Sequence, residues 1–291
     1  MIANNATEGR KQGRVRVQEA WTLHPRRGSS GKLRCLAILI LGFFAMGCAT
    51  SSPRQDRIRD AASWPSGARL KESCLTALRS PGTWAPAAAA ALMTVDDWDG
   101  KISRWAVEET PIFGSPERAR ETSDDLRGAT HLAMIATALA AAGEEHTWGW
   151  RFQRLAVEQT ASMVNIETTN MLKGATGRQR PDGSDEASFP SGHSSKAFNY
   201  AAFASRNLET STLGDAARRG FRIGFYTLAA GTAWARVEGE KHYPSDVLAG
   251  AALGHFMGLL FYDAFLRGHE GAAVDVQLSR DGASLAVRLR F

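Results

Sequence analysis

From Pro244 to Leu266 the sequence is almost wholly apolar, interrupted by charge only at Asp246 and Asp263. A helix that is hydrophobic on every side belongs in a membrane or in the middle of a protein. Gly250, Gly254, His255 and Gly258 favour the second place, so the segment reads as a buried core helix rather than a membrane span. No set of six spans accompanies it, and the domain around it is expected to be water-soluble. Hydrophobic residues make up 44% of the 291 and charged residues 22%, which excludes wholesale disorder.

The rest of the chain is patterned mainly for helices. The spacing predicts them over Ala85–Met93, Asp97–Val107, Pro116–Arg127 and Thr130–Ala142, with glycine and proline between. Ser115-Pro116 makes a good start, a capping hydroxyl followed by a first-turn proline. A long segment, about Glu145 to Lys173, sets Phe152, Leu155, Ala156, Met163, Ile166 and Met171 at helical spacing. Further helices fit Ser194–Asn207, Leu213–Arg236 and Pro244–Leu266. The expected fold class is therefore all-α, a helical bundle, with one exception at the end. Val274, Val276 and Leu278 alternate with polar residues, Asp281-Gly282 supplies a turn, and Leu285, Val287, Leu289 and Phe291 alternate again. That pattern predicts a C-terminal β-hairpin over 271–291. An isolated hairpin is marginal in water, so its apolar face is expected to pack on the helical domain.

The formal charge of +5 invites a nucleic-acid reading, but its distribution does not support one. Residues 1–47 hold eight Lys or Arg against Glu8 and Glu19, leaving 27 basic and 28 acidic residues downstream. Without a basic face on the domain, binding to DNA or RNA has no electrostatic footing. The basic leader, ending in Lys32 and Arg34, precedes an apolar run from Leu36 to Ala45 and then Met46-Gly47-Cys48. This is the plan of an export signal over 1–47. The small residues before Cys48 resemble a bacterial lipoprotein signal, in which the cysteine is lipidated and becomes the new N-terminus. Ala45 departs from it, standing where such signals usually have Leu. On this reading the protein is anchored by lipid in the bacterial periplasm, and Ala49, which is not aspartate, points to the outer membrane. Of the three cysteines, cleavage removes Cys35 and lipidation occupies Cys48. Cys74 is left alone, with no disulfide framework or cysteine metal site to build.

The chemistry lies in three short segments: Lys173 to Arg180-Pro181, Phe189-Pro190-Ser191-Gly192-His193, and Arg236 to His242 to Asp246. Lys173, Arg180 and Arg236 fall at predicted helix ends or in loops. Converged on one point, they suit a doubly charged phosphoryl group, whose oxygens guanidinium forks match in pairs. Ser191-Gly192-His193 stands where a helix begins, so free N–H groups and the positive dipole end can also face an anion. His193 and His242 offer a proton donor and a nucleophile. Asp246, four residues beyond His242, can hold its ring N–H and support a cationic imidazole.

Together these residues resemble the type 2 phosphatidic acid phosphatase superfamily, which includes bacterial acid phosphatases and vanadium-dependent haloperoxidases. Its signature runs Lys, six residues, Arg-Pro; then Pro-Ser-Gly-His; then Ser-Arg, five residues, His, three residues, Asp. All is present except that Ala235 replaces the serine before Arg236, and the connector from Pro181 to Pro190 is short. The resemblance implies that His242 attacks phosphorus to form a phosphohistidine, oriented by Asp246. His193 would protonate the leaving oxygen and then activate water. Lys173, Arg180, Ser191, Gly192 and Arg236 would bind the phosphoryl oxygens. It implies no cofactor and no metal, with vanadate as an inhibitor. The chain then divides into a signal at 1–47, a tether at 48–80, a helical phosphatase domain at 81–270 and the hairpin at 271–291.

The implied substrate is a small phosphomonoester, or a lipid phosphate or diphosphate beside the membrane. A haloperoxidase holding vanadate on His242, or a non-catalytic envelope lipoprotein, are the rival functions. Elsewhere, His131, His146, His255 and His269 lack charged partners at useful spacing and read as structural or exposed. Asp96-Asp97-Trp98-Asp99 reads as a cap and solvated turn. Trp98, Trp105, Met163, Met171 and Phe198 read as core, and Glu158 or Glu167 as a candidate partner for a site cation.

Overall fold

The structure, a computed structural model, describes residues 65–141 and 148–267, together with the backbone of 272–279 and 282–289. The leader, Cys48, His146 and His269 lie outside the described residues. Eight α-helices are described: α1 Gly67–Arg79, α2 Pro81–Met93, α3 Trp98–Glu109, α4 Pro116–Ala140, α5 Trp148–Thr176, α6 Gly192–Asn207, α7 Asp215–Glu238 and α8 Pro244–Phe261. The domain is all-α, as the patterning predicts.

The apolar segment from Pro244 is indeed interior. It is long and apolar enough to cross a membrane, yet most of it is buried by other helices, chiefly α6, α2 and α1. Its glycines allow this. A Cβ on Gly254 would overlap the Ser195 carbonyl oxygen, and one on Gly250 would stand 2.5 Å from the Ser191 carbonyl. The backbones of α6 and α8 therefore pass closer than side chains permit. Around the seam, Met134, Tyr200, Phe203, Phe225 and Tyr262 close a core. Each such side chain contributes about 1.5–3 kcal/mol by leaving water. Beyond Phe261 the chain continues through a π-helical turn, Tyr262–Leu266.

Several expectations need correction. Gly128 does not divide α4, which runs unbroken from Pro116 to Ala140; one helical glycine costs about 1 kcal/mol, and packing against α6 and α7 outweighs it. Gly67–Arg79, inside the stretch read as a tether, is a helix. Ser66 caps it, and Arg69 reaches the carbonyls of Asp263 and Arg267. Trp98, Trp105, Met163 and Met171 are exposed rather than core, although Trp105 tilts against Trp234 at 6.2 Å. Phe198 does pack against the core. Glu158 is buried beside Arg154 at 3.4 Å, away from the site cations, in a cluster with Asn207 and Tyr262. His131 stacks on Tyr200 and meets Gln159, and buried His255 sits between Ser80 and Tyr226.

Candidate active site

The C-terminal end of α5, the N-terminus of α6, the end of α7 and the loop before α8 meet at a cavity of about 190 Å³. Lys173, Arg180, Gly192, His193, Lys196, Arg236 and His242 line it, together with Ile166, Thr169 and Asn170. Larger hollows exist, but none collects this chemistry. Among the described residues no carboxylate lines the cavity, while four cations do. Burial, with Arg180 nearby, pushes Lys173 down to about 8; burial and the same neighbour push Arg236 to about 10. Crowded cations that resist their own charge are poised for an anion.

Three of these cations are aimed by neighbours. Lys173 donates to the Ala187 carbonyl. Arg180 holds Asp185 at 2.6 Å, while its own N–H bonds the Asp185 carbonyl, closing the loop on itself. Arg236, 7% exposed, donates to the Ser123 hydroxyl at 3.3 Å, and its Nε has no hydrogen-bond partner among the described residues. That loop includes a cis Phe189–Pro190 bond and ends at Ser191, the cap of α6.

Ser191, expected to bind phosphate, stands behind the cavity instead. It is fully buried, its hydroxyl faces the Ser194 N–H at 3.5 Å, and its own N–H donates to the Asp246 carbonyl at 2.9 Å. The seam between the starts of α6 and α8 needs that residue as a cap, which leaves Gly192 and His193 facing the cavity. Nothing crowds Gly192 on that side: a Cβ there would sit 3.8 Å from Lys173.

His242 is 2% exposed. Its Nδ1 stands 3.7 Å from Asp246, beyond hydrogen-bond length but near enough for the carboxylate to favour a cationic ring. Nε2 is thus the nitrogen left to the cavity. Burial lowers His242 to about 4 despite Asp246. Asp246 itself accepts from the Ser188 hydroxyl, from the Tyr243 N–H at 2.9 Å and from Arg178 at 2.7 Å. Burial pushes this carboxyl up, yet these donors and His242 hold it below the usual range.

Five residues here were not foreseen. Arg178 bridges Asp246 to Asp99 with 2.7 Å contacts to both, and lies 4.1 Å over the Tyr243 ring. Asp99, read as part of a solvated turn, is buried and accepts the Ser245 N–H at 2.7 Å and the Ser245 hydroxyl. Asp96 and Asp97 do form an exposed turn, in the left-handed region. The signal available was position: Asp99, Ser103 and Ala106 share the buried face of α3. Asp124 on α4 stands 3.0 Å from His193 Nε2, and it also pairs with Arg127. Burial and Arg236 push His193 down to about 4, while Asp124 opposes them. Ser188 and Lys196 complete the set. Among the described residues, no group of three or more His, Cys, Asp or Glu is gathered to hold a metal ion.

Such an arrangement can bind a phosphoryl group, present an imidazole to its phosphorus and place a second imidazole by the leaving oxygen. Residues 156–269, which include all three motif segments, match the PAP2 superfamily. A lipid A 1-phosphatase of Porphyromonas gingivalis is 33% identical over 126 residues, 41% of this chain and 25% of the relative. Proteins of that same name from Rhizobium johnstonii and Rhizobium etli are 35% and 34% identical over 137 residues, 41% of this chain and 50% and 52% of theirs. The chain thus spans about half the length, or less, of the curated relatives it matches. No solved structure matches it. Through the segment 156–269 and the motif residues inside it, the chain is similar to the PAP2 superfamily.

Proposed function

We propose that this protein is a phosphatase of the bacterial envelope that hydrolyses phosphomonoesters or lipid phosphates and diphosphates through a phosphohistidine. The observation that supports this best is the convergence of Lys173, Arg180, Arg236, His193 and His242 on one cavity. His242 Nε2 attacks phosphorus as the P–O bond to the leaving group breaks, and the oxygen takes a proton from His193. Asp246 supports the cationic ring. Water, deprotonated by His193, then splits the P–N bond and releases phosphate. The cations and the N–H groups at the start of α6 stabilise charge on the phosphoryl oxygens, which usually dominates such reactions. No metal is required on this reading. The relatives' name, lipid A 1-phosphatase, supports a lipid-borne substrate.

We further propose a lipid anchor at Cys48 facing the outer membrane, and a tail that closes as a β-hairpin. Its alternation supports the hairpin, as does an antiparallel register with Val274 opposite Val287 and Val276 opposite Leu285.

The test is hydrolysis of p-nitrophenyl phosphate and of a lipid phosphate by purified protein, with rapid-quench trapping of acid-labile phosphate. Activity should survive a strong chelator and fall with orthovanadate, which mimics the pentacoordinate transition state. His242→Ala should form no phosphoenzyme, and His193→Ala should accumulate it. Activity lost to EDTA and restored by a divalent metal would overturn the metal-free mechanism. Cys48→Ser should no longer partition with membranes; unchanged partitioning would refute the anchor.

A further inference from the structure

Phe198, Ala202, Ser205 and Arg206 share a face of α6 that does not carry His193 or Lys196. A second hollow, of about 530 Å³, opens there between α6, α7, α8 and the start of α2, and no described residue lines both it and the motif cavity. Its depth is apolar and closed: Ala202 is 0% and Leu259 6% exposed, with Pro86 and Phe198 beside them. Buried His255 has both ring nitrogens engaged there, Nε2 by the Ser80 hydroxyl at 3.0 Å and Nδ1 by the Tyr226 hydroxyl at 2.9 Å. Burial, with Arg206 nearby, pushes this imidazole down to about 4, so the closed end is uncharged at neutral pH.

The other end is charged and open. Arg222 and Glu209 keep 45% and 43% of their side chains exposed. Arg206 meets Glu209 at 3.0 Å and Asp263 at 3.4 Å, and Asp263 is shared with Arg267 at 3.8 Å. With Arg222, three arginines therefore answer to two carboxylates, and one positive charge is left over. Glu209 comes only to 3.8 Å from Arg222, beyond hydrogen-bond length, so the donors of that guanidinium are not spent on it. An apolar chamber of this size, with a few polar groups at its ends, has the proportions of a small-molecule site.

We propose that this hollow is a second, non-catalytic site for a fatty-acid-like carboxylate, its head on Arg222 and its chain along Pro86, Phe198, Ala202 and Leu259. A guanidinium fork matches a carboxylate oxygen for oxygen, and the apolar depth takes an uncharged chain. The site is independent of the phosphatase reading, since it shares no residue with the motif cavity.

The experiment is calorimetric titration of the purified protein with decanoate and with decyltrimethylammonium, the same chain carrying the opposite charge. Decanoate should bind one site with a Kd on the order of 10–100 μM, and the cation should not bind. Arg222→Gln should weaken decanoate about tenfold, the worth of one charge-assisted hydrogen bond. Pro86→Trp fills the chamber from a half-buried position and should abolish binding with the circular dichroism spectrum unchanged. Lys173→Met alters only the motif cavity and should bind as wild type does. No heat at 1 mM decanoate, equal affinity for the cation, or an affinity unchanged within twofold in Arg222→Gln overturns the site. Weakened binding in Lys173→Met would place decanoate in the motif cavity and overturn it too. Failure of the phosphatase reading would appear instead as lost hydrolysis with decanoate binding intact.

Discussion

Replacing Arg178 by methionine tests the bridge behind the nucleophile. The guanidinium is 32% exposed, whereas the carboxylates it joins are 7% and 0% exposed, Asp99 and Asp246 respectively. Removing one member of a buried ion pair costs about 3–5 kcal/mol, because the partner is left charged and dry. Here both carboxylates keep other donors, Ser245 for Asp99 and Ser188 with the Tyr243 N–H for Asp246. Partial exposure of Arg178 also softens the loss, so the lower end, about 3 kcal/mol, is expected. At about 2–4 °C per kcal/mol for a domain of this size, Tm falls by roughly 6–12 °C. The pH dependence identifies the cause. In the wild type Asp246 is held below its usual pKa, so its stabilisation is present above the unfolded value and lost as pH falls through the folded one. In the variant Asp246 loses its cation, its folded pKa rises, and protonation relieves the strain. The deficit should therefore be larger at pH 7 than at pH 4.5 in urea unfolding followed by circular dichroism. A deficit under 1 kcal/mol, or an equal one at both pH values, would refute the bridge as a stabilising element.

Two other perturbations probe separate parts of the molecule. Asp124→Asn removes the carboxylate that opposes burial and Arg236 at His193, so the His193 pKa drops below its present value near 4. The limb of the kcat/KM profile that requires protonated His193 should move to lower pH, with a greater loss for an alkyl phosphate than for p-nitrophenyl phosphate; an unmoved limb counts against Asp124 as a positioning residue. Gly254→Ala pushes a Cβ into the Ser195 carbonyl of α6, and overpacking of this kind costs about 3 kcal/mol or more when the obstacle is backbone. Soluble yield and Tm should both drop sharply, and a Tm within 1 °C of wild type would show that the seam is not close-packed.

What the sequence determined by itself was periodicity and chemistry at short range. The all-α class and the buried place of Pro244–Leu266 followed from apolar spacing, because a helix without a polar face has to be enclosed. The three motif segments could be read because each keeps its reacting groups within a few residues, and Lys173, Arg180, Gly192, His193, Arg236 and His242 do line one cavity. Only the tertiary structure decided which face of each helix is inward and which distant groups meet. Met163 and Met171 fit a helical stripe, but periodicity alone does not say which stripe faces the core. Ser191 was assigned to phosphate from its motif, whereas the approach of α8 turned it inward as a cap. Asp99 reaches Arg178 across 79 positions of sequence and Asp124 reaches His193 across 69. No local pattern encodes such pairings, since they arise when α3 and α4 pack beside the site and a carboxylate on each finds a buried cation or imidazole to satisfy.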